Sequence, residues 1–217
     1  ISQNRGLTLT VHAPFVDVNI ASPNPTFRRV MLKRLKKSMR LASQLDATLW
    51  VFHPGLQTGV SHLRLGEDWR LNLQSVRELL DAANENDVEI TIENTPEPFP
   101  FILKSVDDFV RFYGDLGDAN LGLTLDVGHA NVNGQISDFI KRFSDKIVHV
   151  HASDNDGTFD SHLGIGEGNI DWKKVADSLK NVNYRRVIVV ESESGVGKSI
   201  ETLKEFLSNN AENSVYD

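Results

Sequence analysis

The sequence predicts a (β/α)8 TIM barrel, in a chain that carries six of the eight βα units. Short β-rich segments alternate with longer amphipathic segments along the chain. The β-rich segments are almost continuously apolar, which is typical of a parallel sheet covered by helices. Each of them ends in a side chain that can bind a metal. Because the carboxyl ends of the strands meet at one mouth of such a barrel, these residues indicate where a site would lie.

The strands and helices follow from local patterns. Strands are predicted at 7–12, 48–53, 88–93, 121–126, 147–151 and 186–191, and helices at 26–45, 70–86, 105–113, 135–143, 172–180 and 199–208. Ser105 and Asp171 are predicted N-caps, and Gly114 is a predicted C-cap. The first helix is predicted from apolar residues at helical spacing, namely Phe27, Val30, Met31, Leu35, Met39, Ala42 and Leu45.

The number of units is smaller than a closed barrel requires. Such a barrel needs eight units in about 250 residues, and this chain has 217 residues. The residues before position 7 resemble the end of a helix capped by Gly6. We therefore expect a single TIM-barrel domain over 1–217 whose first two βα units are missing from this chain, with a polar tail from about residue 209. An open doubly wound sheet is the alternative.

Composition limits the possible functions. The chain has no cysteine, so any metal must be held by His, Asp and Glu. No apolar run is long enough to span a membrane, and we expect a cytoplasmic protein. The net charge of -7 gives no support to broad nucleic-acid binding. The basic residues of the predicted helix 26–45 are interpreted as a solvated face.

The candidate site consists of metal-binding side chains at strand ends and in the loops beside them. The strand ends supply His12, His53, Glu93, Asp126, His151 and Glu191, and the loops supply His129, Asp160 and His162. Neutral imidazole and carboxylate oxygen suit zinc or manganese, and we expect one to three divalent ions per chain. His149 shares a strand face with His151 and is an alternative ligand.

These residues lie in motifs that resemble a known superfamily. The motifs are His12-Ala13-Pro14, Phe52-His53-Pro54-Gly55, Ile92-Glu93-Asn94, Leu125-Asp126-Val127-Gly128-His129-Ala130, His151-Ala152-Ser153-Asp154-Asn155 and the segment 160–172. Together they resemble the AP endonuclease family 2, or xylose isomerase-like, superfamily. The resemblance runs from His12 to Glu191, and its last motif is the most specific.

The resemblance implies a division of the ligands. In endonuclease IV, nine residues hold three zinc ions, and this sequence has a match for each. The first set would be His12, His53 and Glu93; the second Glu93, Asp126, His151 and Glu191; the third His129, Asp160 and His162. In the sugar isomerases and epimerases, one ion occupies the second set.

Departures from endonuclease IV favour the isomerase branch. Endonuclease IV has an aromatic hydroxyl where this chain has Phe15 and a cysteine where it has Gly128. We therefore expect proton transfer on a sugar or sugar phosphate, through an enediolate stabilised by the metal. Glu93 and Glu191 would exchange the proton, and His53 would orient a hydroxyl. The alternatives are zinc-dependent cleavage of DNA at abasic sites and a non-catalytic metal- or sugar-binding barrel.

The segment 192–199 nearly matches a phosphate-binding P-loop. Ser192 replaces its first glycine, so a nucleotide hydrolase is excluded. The segment follows the last strand, where barrels of this kind often bind phosphate at a helix N-terminus. Gly197, Lys198 and Ser199 are therefore predicted to hold a substrate phosphate, and a flexible turn is the alternative. Glu167 is expected either to steer a ligand histidine or to stabilise its loop.

Overall fold

The computed structural model describes residues 6–208, so the predicted polar tail from about residue 209 lies outside the described residues. The strands are β1 Thr10–His12, β2 Leu49–Phe52, β3 Ile90–Glu93, β4 Gly122–Asp126, β5 Ile147–Ala152 and β6 Ile188–Val190. The helices are α1 Pro25–Gln44, α2 Glu67–Asn86, α3 Val106–Leu116, α4 Val127–Val132, α5 Ile136–Arg142, α6 Trp172–Asn181 and α7 Val196–Ser208, with a short 3-10 turn at Gly59–His62. None of the described helices is long and apolar enough to cross a membrane.

The strands follow one another in the sheet in their sequence order, β1 to β6. A doubly wound sheet reverses its strand order at a switch point. A sequential order of parallel strands, each followed by a helical crossover, is the order of a barrel. The strand order therefore favours the predicted fold class over the doubly wound alternative.

The described residues divide into two compact units. Unit 1 runs up to Thr95 and resumes over Phe99–Thr124, and unit 2 comprises Pro96–Pro98 and the chain from Leu125 onward. The strand β4 begins in unit 1 and ends in unit 2. Each unit contains its own parallel strand pairs and its own buried core, and each contributes candidate site residues.

In unit 1, β1 pairs with β2, β2 with β3, and β3 with the start of β4, all in parallel. Every residue of β2 and β3 is buried, as expected for strands covered on both faces. Trp50 stacks on Phe52 within this core, with ring centroids 5.4 Å apart.

The buried face of α1 differs in part from the predicted stripe. Leu32, Leu35, Met39 and Ala42 are buried, at the spacing of one helical face. Three residues that the prediction included are exposed: Phe27 at 60%, Val30 at 62% and Leu45 at 47%. Phe27 and Val30 fall outside this spacing, and Leu45 is the C-cap beyond the last residue of α1, so this part of the prediction is wrong. Five of the basic side chains on α1 are exposed, as a solvated face requires: Arg29, Lys33, Arg34, Lys37 and Arg40.

In unit 2, β5 pairs with β6 in parallel, with Val150 opposite Ile188. The helix α6 contributes four buried residues to the core of this unit, namely Trp172, Val175, Ala176 and Leu179. The short helix α4 was not predicted. It begins directly after β4 because the Asp126 carboxylate accepts a hydrogen bond from the His129 N–H at 2.7 Å, which caps the first turn.

Two of the three predicted helix caps agree with the structure. Ser105 forms a capping box with Asp108, and Asp171 accepts a hydrogen bond from the backbone N–H of Lys174, so both predicted N-caps are confirmed. The predicted C-cap at Gly114 is wrong. The helix α3 continues to Leu116 and is capped by Gly117, whose φ of 79° favours glycine.

Candidate active site

In unit 1, three predicted ligands converge at the carboxyl ends of neighbouring strands. His12 ends β1, His53 follows β2 directly, and Glu93 ends β3. His12 Nε2 lies 3.2 Å and His53 Nε2 3.1 Å from Glu93 Oε2. Glu93 is buried, so its charge depends on these partners. The parallel register of the three strands is what brings side chains far apart in sequence to one carboxylate oxygen.

In unit 2, a second set of predicted ligands meets around His151. His151 Nδ1 lies 3.4 Å from Glu191 Oε1 and 3.9 Å from Asp126 Oδ2. Asp126 and His151 are buried, whereas the Glu191 side chain is 28% exposed. His149 lies beside His151 with ring centroids 5.1 Å apart. The ring of His151 therefore faces both carboxylates.

A third set, also in unit 2, is built around Asp160. His129 Nε2 and His162 Nε2 each lie 3.1 Å from Asp160 Oδ2. Burial alone would raise the pKa of Asp160, but the hydrogen bonds from the two histidines prevail and hold it well below its usual range. The hydrogen bond to Asp160 raises the pKa of His162 to about 9 against the opposing effect of burial. The other carboxylate oxygen of Asp160 is buried without a hydrogen-bond partner among the described residues.

Two histidines show that these sets suit a cation. His12 Nδ1 lies 2.8 Å from the Ala13 carbonyl oxygen, and His162 Nδ1 lies 2.9 Å from the Glu191 carbonyl oxygen. A carbonyl can only accept, so Nδ1 must donate in each case. In the neutral ring, which is the form that binds metals, Nε2 then carries the lone pair. Since Nε2 faces a carboxylate oxygen in both residues, a proton or a metal ion must lie between the two atoms. This is the arrangement of a histidine whose tautomer is fixed by a carbonyl for metal binding, and imidazole with carboxylate suits zinc or manganese.

The predicted phosphate-binding residues lie in the first turn of α7. Ser199 is 2% exposed, and its Oγ accepts a hydrogen bond from the Ile165 N–H at 3.0 Å. Lys198 Nζ is exposed and lies 3.9 Å from Glu167 Oε1. Glu167 also accepts a hydrogen bond from the Gly164 N–H, which favours its loop-stabilising role. The Ser199 hydroxyl is therefore engaged in a hydrogen bond within the protein, whereas the Lys198 side chain extends to solvent.

The structure adds Phe101 to the surroundings of His53, a residue that the sequence did not point to. A cavity of about 310 Å³ in unit 1 is lined by Phe15, Phe101 and His53 among others. The ring centroids of Phe15 and Phe101 lie 5.4 and 5.6 Å from that of His53. No local signal marks Phe101, because only the path of its loop brings it to His53.

The sequential parallel strands and the His, Asp and Glu side chains at their carboxyl ends define a TIM barrel with its candidate site at the strand ends. The chain belongs to the xylose isomerase-like TIM barrel family, whose model matches residues 1–209. The predicted superfamily and the predicted fold class are therefore confirmed.

The relatives of the chain include an uncharacterized protein, endonucleases and a sugar epimerase. The chain is 34% identical to the uncharacterized protein MJ1311 of Methanocaldococcus jannaschii, over 92% of this chain and 70% of that protein. It is 28% identical to a probable endonuclease 4 of Mycobacterium leprae, over 92% of this chain and 79% of that protein. It is 25% identical to a D-psicose 3-epimerase of Enterocloster bolteae, over 88% of this chain and 63% of that protein.

Among solved structures, the chain is similar to a D-tagatose 3-epimerase-like protein. The TM-score is 0.89 at 33% identity, and the match covers 95% of this chain and 79% of that one. The family and its sugar epimerase members support the predicted isomerase or epimerase class.

Proposed function

We propose that the chain is a metal-dependent isomerase or epimerase that transfers a proton on a sugar or sugar phosphate. The observation that carries the proposal is the clustering of imidazole and carboxylate side chains at the strand ends, with Glu93 held by two histidines in unit 1 and Glu191 beside His151 in unit 2. The likeness to the D-tagatose 3-epimerase-like structure supports the sugar as substrate class.

In this proposal Asp126, His151, Glu191 and Glu93 hold one zinc or manganese ion. Glu93 is included as the fourth ligand because the resemblance to the sugar isomerases and epimerases implies this set. A bound ion would supply positive charge beside adjacent substrate oxygens, where negative charge develops during the reaction.

The two glutamates are proposed to move the proton. One carboxylate removes it from the carbon next to the carbonyl, and the other returns it, on the opposite face in an epimerase. Glu93 Oε2 lies 3.2 Å from His12 Nε2 and 3.1 Å from His53 Nε2, and these contacts orient the carboxylate. His53 also lines the cavity with Phe15 and Phe101, where its ring would orient a substrate hydroxyl.

The test is incorporation of solvent deuterium into free and phosphorylated ketoses and aldoses in D2O, followed by NMR. Exchange at the carbon next to the carbonyl is expected with wild-type protein and should be lost after chelation and regained with zinc or manganese. Glu93→Gln should abolish exchange because the amide cannot accept the proton. Glu85→Gln, an exposed change on α2, is the matched control and should keep wild-type exchange. A fully active Glu93→Gln variant would refute the assignment.

The second candidate is cleavage of DNA at abasic sites, which the likeness to endonuclease 4 favours. It requires a chelator-sensitive cut in a duplex that carries an abasic analogue, and about three zinc ions per chain. Zinc-dependent cutting without deuterium exchange would replace the first proposal. Sugar binding without exchange or cutting would indicate a non-catalytic barrel.

A further inference from the structure

Asp154, just beyond the end of β5, is a fully buried carboxylate that accepts four N–H groups. Its Oδ1 accepts from the backbone of Asn155 at 2.9 Å and of Ile170 at 3.2 Å. Its Oδ2 accepts from the Gly166 backbone and from the Trp172 indole, both at 2.9 Å. A buried charge is tolerated only when hydrogen bonds of this kind replace water.

The partners of Asp154 all belong to the segment 155–172, which begins right after it. The Asp154 backbone also forms an antiparallel bridge with Leu163, with N–H to carbonyl distances of 3.0 and 2.8 Å. Leu163 directly follows His162, so this bridge holds the backbone next to a candidate metal ligand. A Cβ on Gly168 would collide with the carbonyl oxygen of Asn155 and with the Asp154 carboxylate. The loop therefore packs directly against Asp154 at this position.

His162 needs such support because its backbone is strained. Its φ is 45°, in the left-handed region that residues with a side chain seldom adopt. Such conformations persist only where surrounding contacts over-determine them. Besides the Leu163 bridge, the His162 carbonyl accepts a hydrogen bond from the Glu193 N–H at 2.9 Å.

We propose that Asp154 is a positioning residue: it fixes the 155–172 loop in the conformation that presents Asp160 and His162 to His129 as one cation site. The proposal rests on metal binding in the proposed function, and it adds an ion at His129, Asp160 and His162 to the one proposed at the other set. The carboxylate is required because it only accepts. In Asp154→Asn, one of the two acceptor oxygens becomes an NH2 donor that faces two N–H groups, and the buried donors lose their partner.

The test is the zinc content of the full chain, stripped with chelator, reloaded with zinc, passed through gel filtration and measured by elemental analysis. Asp160→Asn removes the central ligand of the site and should bind one zinc fewer than wild type. Asp154→Asn should show the same loss although it touches no ligand in the set. Asp156→Asn, an exposed aspartate in the same loop, should keep the wild-type content.

Thermal unfolding by circular dichroism separates positioning from general loss of fold. If Asp154→Asn does not fold, Trp172→Phe removes one of the four donors while keeping an aromatic ring in the core, and should release one zinc at a lower chelator concentration than wild type. Wild-type zinc content and retention in the folded variants would overturn the proposal. A wild-type content in Asp160→Asn would overturn it as well, because the three residues would then hold no ion. Failure of deuterium exchange on sugars, with this zinc pattern intact, would count against the proposed function alone.

Discussion

Replacing Gly55 by alanine should destabilise the loop that follows His53. A Cβ at this position would meet the Cβ of Ala21 and lie 2.7 Å from its backbone nitrogen, whereas favourable non-bonded contacts lie at about 3.5–4.0 Å. Because the clash involves the backbone of Ala21, no side-chain rotation relieves it. The Ala21 N–H also donates a hydrogen bond to Asn19 Oδ1 at 2.9 Å, which holds that backbone in place. Overpacking against backbone at such a site costs about 2 kcal/mol.

The assay is thermal unfolding followed by circular dichroism. For a chain of this size, about 2 kcal/mol corresponds to a fall in Tm of roughly 4–8 °C. Gly59→Ala is the matched control, because a Cβ there meets no heavy atom within 4 Å, and its Tm should stay near the wild-type value. The reasoning is refuted if Gly55→Ala and Gly59→Ala unfold at the same temperature.

Two further predictions concern the N-cap of α3 and the predicted phosphate-binding site at the start of α7. Ser105→Ala removes the hydroxyl that caps α3 and should lower the free energy of unfolding by about 1 kcal/mol in urea titration; an unchanged midpoint would mean that the capping box contributes nothing. Lys198→Ala should raise the KM for a phosphorylated sugar and leave that for the free sugar unchanged, because Lys198 is the exposed cation of the predicted phosphate site. Equal effects on both sugars would exclude the phosphate role.

Much of the architecture could be predicted because it depends on local patterns. The six strands and most helices follow from apolar runs and helical spacing, and Ser105 and Asp171 mark two helix starts correctly. The helix α4 was missed because it is short and its single signal, the Asp126 cap, is also a predicted metal ligand. The end of α3 was placed at Gly114 rather than Gly117 because two nearby glycines offer the same local signal.

By itself, the sequence determined which residues stand at the strand ends, and this was enough to predict the fold class, the superfamily and the candidate ligands. Parallel strands in sequential order have their carboxyl ends at one edge, so local strand boundaries already predict where a site would lie. Only the tertiary structure decided which contacts the loop residues make. Asp154 accepts hydrogen bonds from four N–H groups, the Ser199 hydroxyl accepts one from the Ile165 N–H, and Phe101 packs against His53. The physical reason is that these contacts join residues far apart in the chain, where neither helical nor strand periodicity determines the direction of a side chain.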